Sequence, residues 1–399
     1  MRYSGNVSRS LFNEHNKVIS LAGLYLHIPF CEHKCIYCDF YSIENLQPME
    51  KFGKLLQREI QLYHQYSNRQ EFDTIFFGGG TPSLLSPSTM GEILQTLHTT
   101  FRVTQDAEIT IEANPGTVDK HKLTEYRKLG INRLSFGVQS FHQDDLQFLT
   151  RIHTAEEARR AVADAQEAGF DNINVDLIFS LPKQTLKRWE ENLRQAVALN
   201  TQHISAYSLI VEQNTPLARM VQSKQVNVLS PEIDAQLFET TMEYLPAHGF
   251  EQYEVSNYAK AGLHSRHNLN YWTHGNYLGF GPSAHSFFSG RRWWNIANLR
   301  TYSEKLTADE LPVAGEETLT DEQLIDETVM LGLRSRGIDL VQFKKRFGID
   351  LTEGNGFPVE DLLSEKLAVV DNMVLRLTSK GFLLCDEISR RLLSNCCPA

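Results

Sequence analysis

Cys31-Glu32-His33-Lys34-Cys35-Ile36-Tyr37-Cys38 sets three thiols at spacings of four and three residues, directly after a short apolar run, 24–28, closed by Pro29. Three soft thiolates this close suit an iron–sulfur cluster or zinc. A four-iron cubane usually takes four protein cysteines, so three leave one iron open to a substrate or cofactor. Asp39 and Phe40 follow Cys38, so no fourth nearby cysteine closes the set. The competing readings are a zinc knuckle completed by His27 or His33, and reduced core cysteines.

Outward from this loop the chain alternates apolar strands with amphipathic helices. Strands are expected over 24–28, 73–77, 108–111, 132–136, 172–179 and 203–211. Helices are expected over 49–63, 90–101, 119–129, 154–168 and 185–199. Thr154 and Glu157 form a capping box and Gly169 a stop. Six βα units predict an α/β fold, a partial TIM-like (βα)6 barrel two strands short of eight. The strand ends carry the unusual residues: Gly78-Gly79-Gly80-Thr81-Pro82, Glu112, Gln139 and Asp176. Each alone reads as a turn or a loop cap. Their common placement at the end that carries the cysteines points to a site.

The chain has 399 residues, a formal net charge of −10 and six cysteines. It holds no apolar run of membrane-spanning length and no secretory signal, which predicts a soluble, cytoplasmic protein in a reducing compartment. The acidic balance argues against a nucleic-acid partner. Residues 1–22 read as a loose extension.

Five segments together carry a more specific signal. They are Tyr25-Leu26-His27-Ile28-Pro29-Phe30-Cys31, Phe76-Phe77-Gly78-Gly79-Gly80-Thr81-Pro82-Ser83, Gly137-Val138-Gln139-Ser140-Phe141, Arg151-Ile152-His153 and Asn174-Val175-Asp176-Leu177-Ile178. They resemble the HemN/HemW group of radical S-adenosylmethionine (SAM) proteins, over about residues 23–385. The resemblance implies a radical SAM barrel over 23–229, a haem- or substrate-associated region over 230–315, and a small domain and tail over 316–399. It implies a 4Fe-4S cluster on Cys31, Cys35 and Cys38. It implies SAM contacts from Tyr25, Tyr37, Gly79, Gly80, Thr81, Glu112, Gln139, Arg151, Asp176 and Ile210. Glycine at 79 and 80 would let backbone approach the ligand closely.

Beyond residue 230, Tyr253-Glu254-Val255-Ser256-Asn257-Tyr258-Ala259 and His267-Asn268-Leu269-Asn270-Tyr271-Trp272 resemble the HemW branch, the haem chaperones. This implies haem as a ligand, with His267 as the expected axial residue and His264 and His285 as rivals. It also implies haem-accepting respiratory proteins as partners, and transient contact with a membrane surface. The other branch, oxygen-independent coproporphyrinogen III oxidase, carries a further cysteine where Phe40 stands and a longer segment before the first strand. The last unit is expected to be α+β and winged-helix-like: helices over 326–334 and 340–347, then strands over 373–377 and 381–384. Its acidic start offers no continuous basic face for DNA. Cys396-Cys397 reads as an incidental pair.

Overall fold

Alternation along the first strand separates the two faces of the sheet. β1 (Ala22–Ile28) sends Leu24, Leu26 and Ile28 into the main apolar core, while Tyr25 stacks on Phe76 of the next strand on the other face. The structure, a computed structural model, describes residues 21–66, 70–352 and 359–396. The extension expected before the first strand lies outside them up to residue 20, as does Cys397.

β2 (Glu71–Gly79), β3 (Arg102–Ala113), β4 (Arg133–Gln139), β5 (Ile173–Phe179) and β6 (His203–Ser208) follow β1 in sequence order, all parallel. The intervening helices are α1 (Met49–Leu62), α2 (Pro87–Thr100), α3 (Lys120–Lys128), α4 (Gln143–Phe148), α5 (Ala155–Glu167) and α6 (Leu186–Ala198). Their apolar stripes are buried, as with Phe52, Leu56 and Ile60 of α1 and Trp189, Leu193 and Ala196 of α6. The Thr154–Glu157 capping box is formed, and Gly169 at φ 88° stops α5. The α/β fold expected from the alternation is the fold observed.

The six parallel strands do not pair with themselves to close a ring. After α7 (Pro216–Gln222) and α8 (Pro231–Ala247), β7 (Glu251–Gln252) and β8 (Asn257–Ala259) form an antiparallel hairpin along the β6 edge. α9 (Arg266–Trp272) leads to β9 (Tyr277–Phe280), which lies parallel to β1 at the opposite edge. β10 (His285–Phe288), β11 (Arg291–Asn295) and, after α10 (Leu299–Thr307), β12 (Val313–Thr318) extend that side antiparallel. Among the described residues the result is one twelve-stranded sheet.

The last unit has its own core, built from α11 (Asp321–Leu333), β13 (Ile338–Asp339), α12 (Leu340–Phe347), α13 (Val359–Ser364), β14 (Ala368–Asp371), β15 (Val374–Leu377), α14 (Ser379–Phe382) and α15 (Cys385–Cys396). It is α+β, with three antiparallel strands in the order β13-β15-β14. The expected strand over 381–384 is not there. The partner of 374–377 lies upstream, across a turn in which Asn372 and Met373 take φ of 49° and 62°. Thr378 instead caps α14 by accepting from the Gly381 amide, and a Cβ on Gly381 would fall 2.0 Å from the Leu367 carbonyl oxygen.

One buried carboxylate ties the added strands to the barrel. Glu59 on α1 accepts from the Gly281 amide (2.8 Å), Asn295 Nδ2 (2.6 Å) and the Tyr302 hydroxyl (2.5 Å). Burial pushes its carboxyl from 4.5 up to about 7. Glu59→Ala leaves the Gly281 amide and the Tyr302 hydroxyl without an acceptor and strips Asn295 Nδ2 of one of its two, and should lower the unfolding free energy by about 3 kcal/mol. The fold holds the Glu59 proton more tightly than the unfolded chain does. Its contribution is therefore full below about pH 4.5 and lost as pH rises through about 7. Urea unfolding of the parent and of Glu59→Gln at several pH values checks this: the parent should lose ground to the variant across that window.

Candidate functional site

The cysteine loop is held by backbone at both arms. Cys31 N donates to Ile43 O (3.0 Å) and Ile43 N to Pro29 O (2.7 Å), closing its base. Gly80 N donates to Ile28 O (2.8 Å) and Thr81 N to Phe30 O (2.7 Å), so the end of β2 runs along the first arm. The far arm is pinned by Ile36 N to the Thr150 hydroxyl (3.2 Å) and by Leu217 N to Ile36 O (3.0 Å).

Cys31 and Cys35 are buried, Cys38 is half-buried, and all three are free thiols. The Thr81 hydroxyl lies 3.6 Å from Cys31 Sγ, and Arg151 Nη1 lies 3.5 Å from Cys35 Sγ. Burial pushes the Cys31 thiol up and the Cys38 thiol to about 11. Donors aimed at sulfur favour the thiolate, the form that binds metal.

The zinc alternative fits less well. His27 Nε2 sits 2.8 Å from Tyr41 O and its Nδ1 3.2 Å from the Tyr25 hydroxyl, while His33 faces Glu44 at 3.3 Å. A cluster that spreads its ligands over three irons suits the donor set.

Beside the loop, at the carboxyl ends of the parallel strands, lies a cavity of about 460 Å³. Tyr37, Gly79, Gly80, Thr81 and Glu112 line it, together with Gln139, Arg151, Asp176 and Ile210. Tyr25 does not; it stacks on Phe76, which does.

Both glycines have a reason inside the protein. Gly79 takes φ 109°, and a Cβ there would sit 2.7 Å from the His27 ring. A Cβ on Gly80 would sit 2.7 Å from the Phe30 carbonyl oxygen. They permit the approach of β2 to the cysteine loop, an internal need that the ligand-approach argument did not include.

The cavity wall carries charges that the protein does not pair. Arg151 Nη2 donates to Gly137 O (2.6 Å) and to Asn114 Oδ1, and its Nε has no partner. Glu112 accepts from the Gly79 amide at 3.1 Å; burial, with the Asp176 charge, pushes its carboxyl up to about 8. Asp176 accepts from Asn174 Nδ2 (2.7 Å) and the Ser135 hydroxyl (3.2 Å), and burial raises it too. An unpaired cation beside the thiols and two carboxyls across the cavity complement a ligand bearing a carboxylate, a positive charge and hydroxyls.

Asn114, Arg133, Ser135 and Asn174 also line the cavity and escaped the sequence reading. Counting back by two from Gly137 and from Asp176 would have found three of them, since alternate strand residues share a face. Phe40 and Ile210, also in the lining, stand 62% and 66% exposed.

His267 is placed otherwise than an axial ligand needs. It is 1% exposed, stacked on Phe76 and edge-on to Tyr271. Its Nδ1 lies 2.8 Å from the Thr74 hydroxyl and its Nε2 2.9 Å from the Tyr271 hydroxyl. Burial pushes it down to about 3. Both nitrogens are engaged, so coordination by His267 would break two buried hydrogen bonds. The arrangement suits a residue that locks α9 against β1 and β2. His264 is engaged as well, between Arg336 (2.9 Å) and Glu251 (3.5 Å).

Comparison with known proteins gives the family. Residues 25–196 match the Radical SAM superfamily, and 319–384 match the HemN C-terminal domain. A Bacillus subtilis protein named heme chaperone HemW is 36% identical over 368 residues, covering 91% of this chain and 97% of the relative. A zebrafish protein named radical S-adenosyl methionine domain-containing protein 1, mitochondrial, is 32% identical, covering 92% and 86%. The Escherichia coli coproporphyrinogen III oxidase HemN, described as a radical SAM enzyme, superposes with a TM-score of 0.78 at 22% identity, over 94% of this chain and 90% of that one. At that identity the likeness shows the fold alone. The fold and cysteine loop are those of a radical SAM protein. Within that superfamily the chain belongs to the HemN/HemW family, in its HemW branch.

Gly79→Ala should be costly, because an L side chain is strained at φ 109° and the new Cβ meets the His27 ring. A loss of about 1–3 kcal/mol is expected in chemical unfolding. A variant as stable as the parent would show that the β2–loop contact is loose.

Proposed function

We propose that this chain is a haem chaperone of the radical SAM type. It carries a 4Fe-4S cluster on Cys31, Cys35 and Cys38, binds SAM in the adjoining cavity, and passes haem to haem-dependent respiratory proteins. The cofactor part rests on one observation above all: the Arg151 guanidinium, with no carboxylate partner, between Cys35 and the cavity. Cys31, Cys35 and Cys38 would hold the cluster, which would supply an electron to SAM bound in the adjoining cavity. The chain's own residues bind and orient. Arg151 neutralises the ligand carboxylate, the stretch 79–81 meets its methionine end, and Glu112 and Asp176 take up its cationic and hydroxyl groups. Tyr37, Gln139 and Ile210 complete the wall.

The haem part is supported by the relatives' names: the Bacillus subtilis and Lactococcus lactis proteins are both heme chaperone HemW. Phe40 adds to it, standing exposed where the oxidase branch carries a further cysteine. Among the described residues no helix is long and apolar enough to cross a membrane, so contact with membrane-bound recipients would be made at the surface. The oxidase reading draws on one observation, the full set of strand-end polar groups around the cavity.

A paired measurement decides between the two. The chain is reconstituted without oxygen and assayed for haem uptake and coproporphyrinogen III decarboxylation on the same sample. Haem uptake without turnover is expected; efficient turnover to protoporphyrinogen would overturn the chaperone reading. Each of Cys31→Ala, Cys35→Ala and Cys38→Ala should abolish or severely weaken cluster assembly, read by iron and sulfide content and electron paramagnetic resonance. Cys385→Ala, in the C-terminal core, should not. Arg151→Ala removes a charge-assisted hydrogen bond worth about 1.5–3 kcal/mol, so SAM should bind roughly ten- to a hundredfold more weakly by calorimetry.

A further inference from the structure

Arg133 opens β4, at the end of the strand far from the cysteine loop. Its side chain is 1% exposed and lines the cavity beside that loop. Nε is buried without a hydrogen-bond partner, and among the described residues no carboxylate forms an ion pair with the guanidinium. Burial raises the Glu112 and Asp176 carboxyls, and the Arg133 charge offsets this only in part.

Arg133 lies in register with Thr110 of β3, and Thr110 with Phe76 of β2. Ile75, Phe77, Ile109, Ile111 and Leu134 belong to the apolar core on the helix side, so alternation sends all three to the other face. The Thr110 hydroxyl oxygen is buried and likewise has no partner. One rung of the sheet therefore sets a guanidinium and a hydroxyl, neither satisfied at these atoms, in line with an aromatic ring. Burying such groups without partners costs free energy, and they persist where a ligand completes them. A carboxylate on a short aliphatic stem fits the rung: the acid meets the guanidinium and the hydroxyl, and the stem meets the ring.

The SAM carboxylate is committed elsewhere. Arg151 is fixed to the Gly137 carbonyl at 2.6 Å, beside the thiols. Gly137 lies four residues further along β4 than Arg133, about 13 Å at the usual strand rise. SAM has one carboxylate and cannot serve both arginines.

We infer that Arg133 anchors a second, anionic subsite at the floor of the cavity, and that it takes the carboxylate of a short acid arm on a molecule other than SAM. This rests on the reading of the cavity given above and adds the chemistry of the second ligand. A haem propionate and a small free acid share that chemistry.

The test uses the full chain with its cluster reconstituted and SAM added. The probes are hemin, hemin dimethyl ester, whose acid groups are blocked, and sodium propionate. The variants are Arg133→Met, which keeps the length of the side chain, and Arg133→Lys, which keeps the charge. The parent should bind hemin at least tenfold more tightly than the ester. Arg133→Met should bind the two alike, and Arg133→Lys should retain part of the preference. That result assigns the subsite to a haem propionate. Arg133-dependent uptake of sodium propionate, read by calorimetry, without an Arg133-dependent preference for hemin assigns it to a free acid. Neither dependence overturns the inference while the chaperone reading stands; should the methionine variant not fold, the parent and Arg133→Lys decide in the same way. Decarboxylated SAM separates the two arginines. Its loss of affinity relative to SAM should persist in Arg133→Met and disappear in Arg151→Ala, and disappearance in Arg133→Met would give this guanidinium to SAM and overturn the inference. If the parent takes up no more hemin than an unrelated control protein, the chaperone reading falls, and propionate binding alone decides the subsite.

Discussion

Two strand edges that do not pair with one another organise this molecule. Six parallel strands leave the backbone groups of β1 and β6 facing outward, and unpaired edges must be covered. β8 covers one and β9 the other. Because β9 follows α9 closely, its pairing with β1 draws α9 against the barrel interior. There Glu108 accepts from the Arg266 and His267 amides, each at 3.1 Å, and Arg266 pairs with Asp73 at 2.7 Å. The carboxylate satisfies donors that the first turn of a helix leaves open. The chain that completes the sheet also supplies what stands beneath the cavity, including Asn268 in its wall.

The interior that this closure creates is polar. Arg133, Ser135, Asn174, Asp176 and Ser205 share the inward face with Glu112, while Leu134, Phe136, Val175 and Leu177 face the helices. Burying charges without pairing them destabilises a fold, and such groups persist where a ligand completes them. Arg151 and Glu112 are of this kind: Arg151 Nε has no partner beside the thiols, and Glu112 accepts from the Gly79 amide with no cation paired to it. Glu59 shows the contrast. It is as deeply buried, but three donors satisfy it, and its work is to hold the sheet extension to α1.

Local chemistry was legible in the sequence. The three-cysteine loop, the six βα units, the glycine run and the strand-end carboxyls and amides are patterns of spacing and period within a few residues, where backbone geometry leaves few choices. The glycine run, Glu112, Gln139 and Asp176 needed only the rule that parallel strands present their ends together, whereas Tyr37 and Ile210 came from the family resemblance. What escaped depended on partners far away in the chain. An apolar run such as 381–384 suits strand or helix equally, and only the Thr378 cap and the packing against Leu367 make its first half the end of a short helix that runs on into a turn. His267 and His274 are both histidines near aromatics in the sequence. Only tertiary structure gives the first two hydroxyl partners, from Thr74 and Tyr271, and sets the second 3.0 Å from the Glu327 carboxylate of α11. By itself the sequence determined which groups could do chemistry, because that lies in their identity and spacing. The folded chain decided which lone pairs, charges and strand edges remain open, because those are settled by contacts between residues that sequence distance does not reveal.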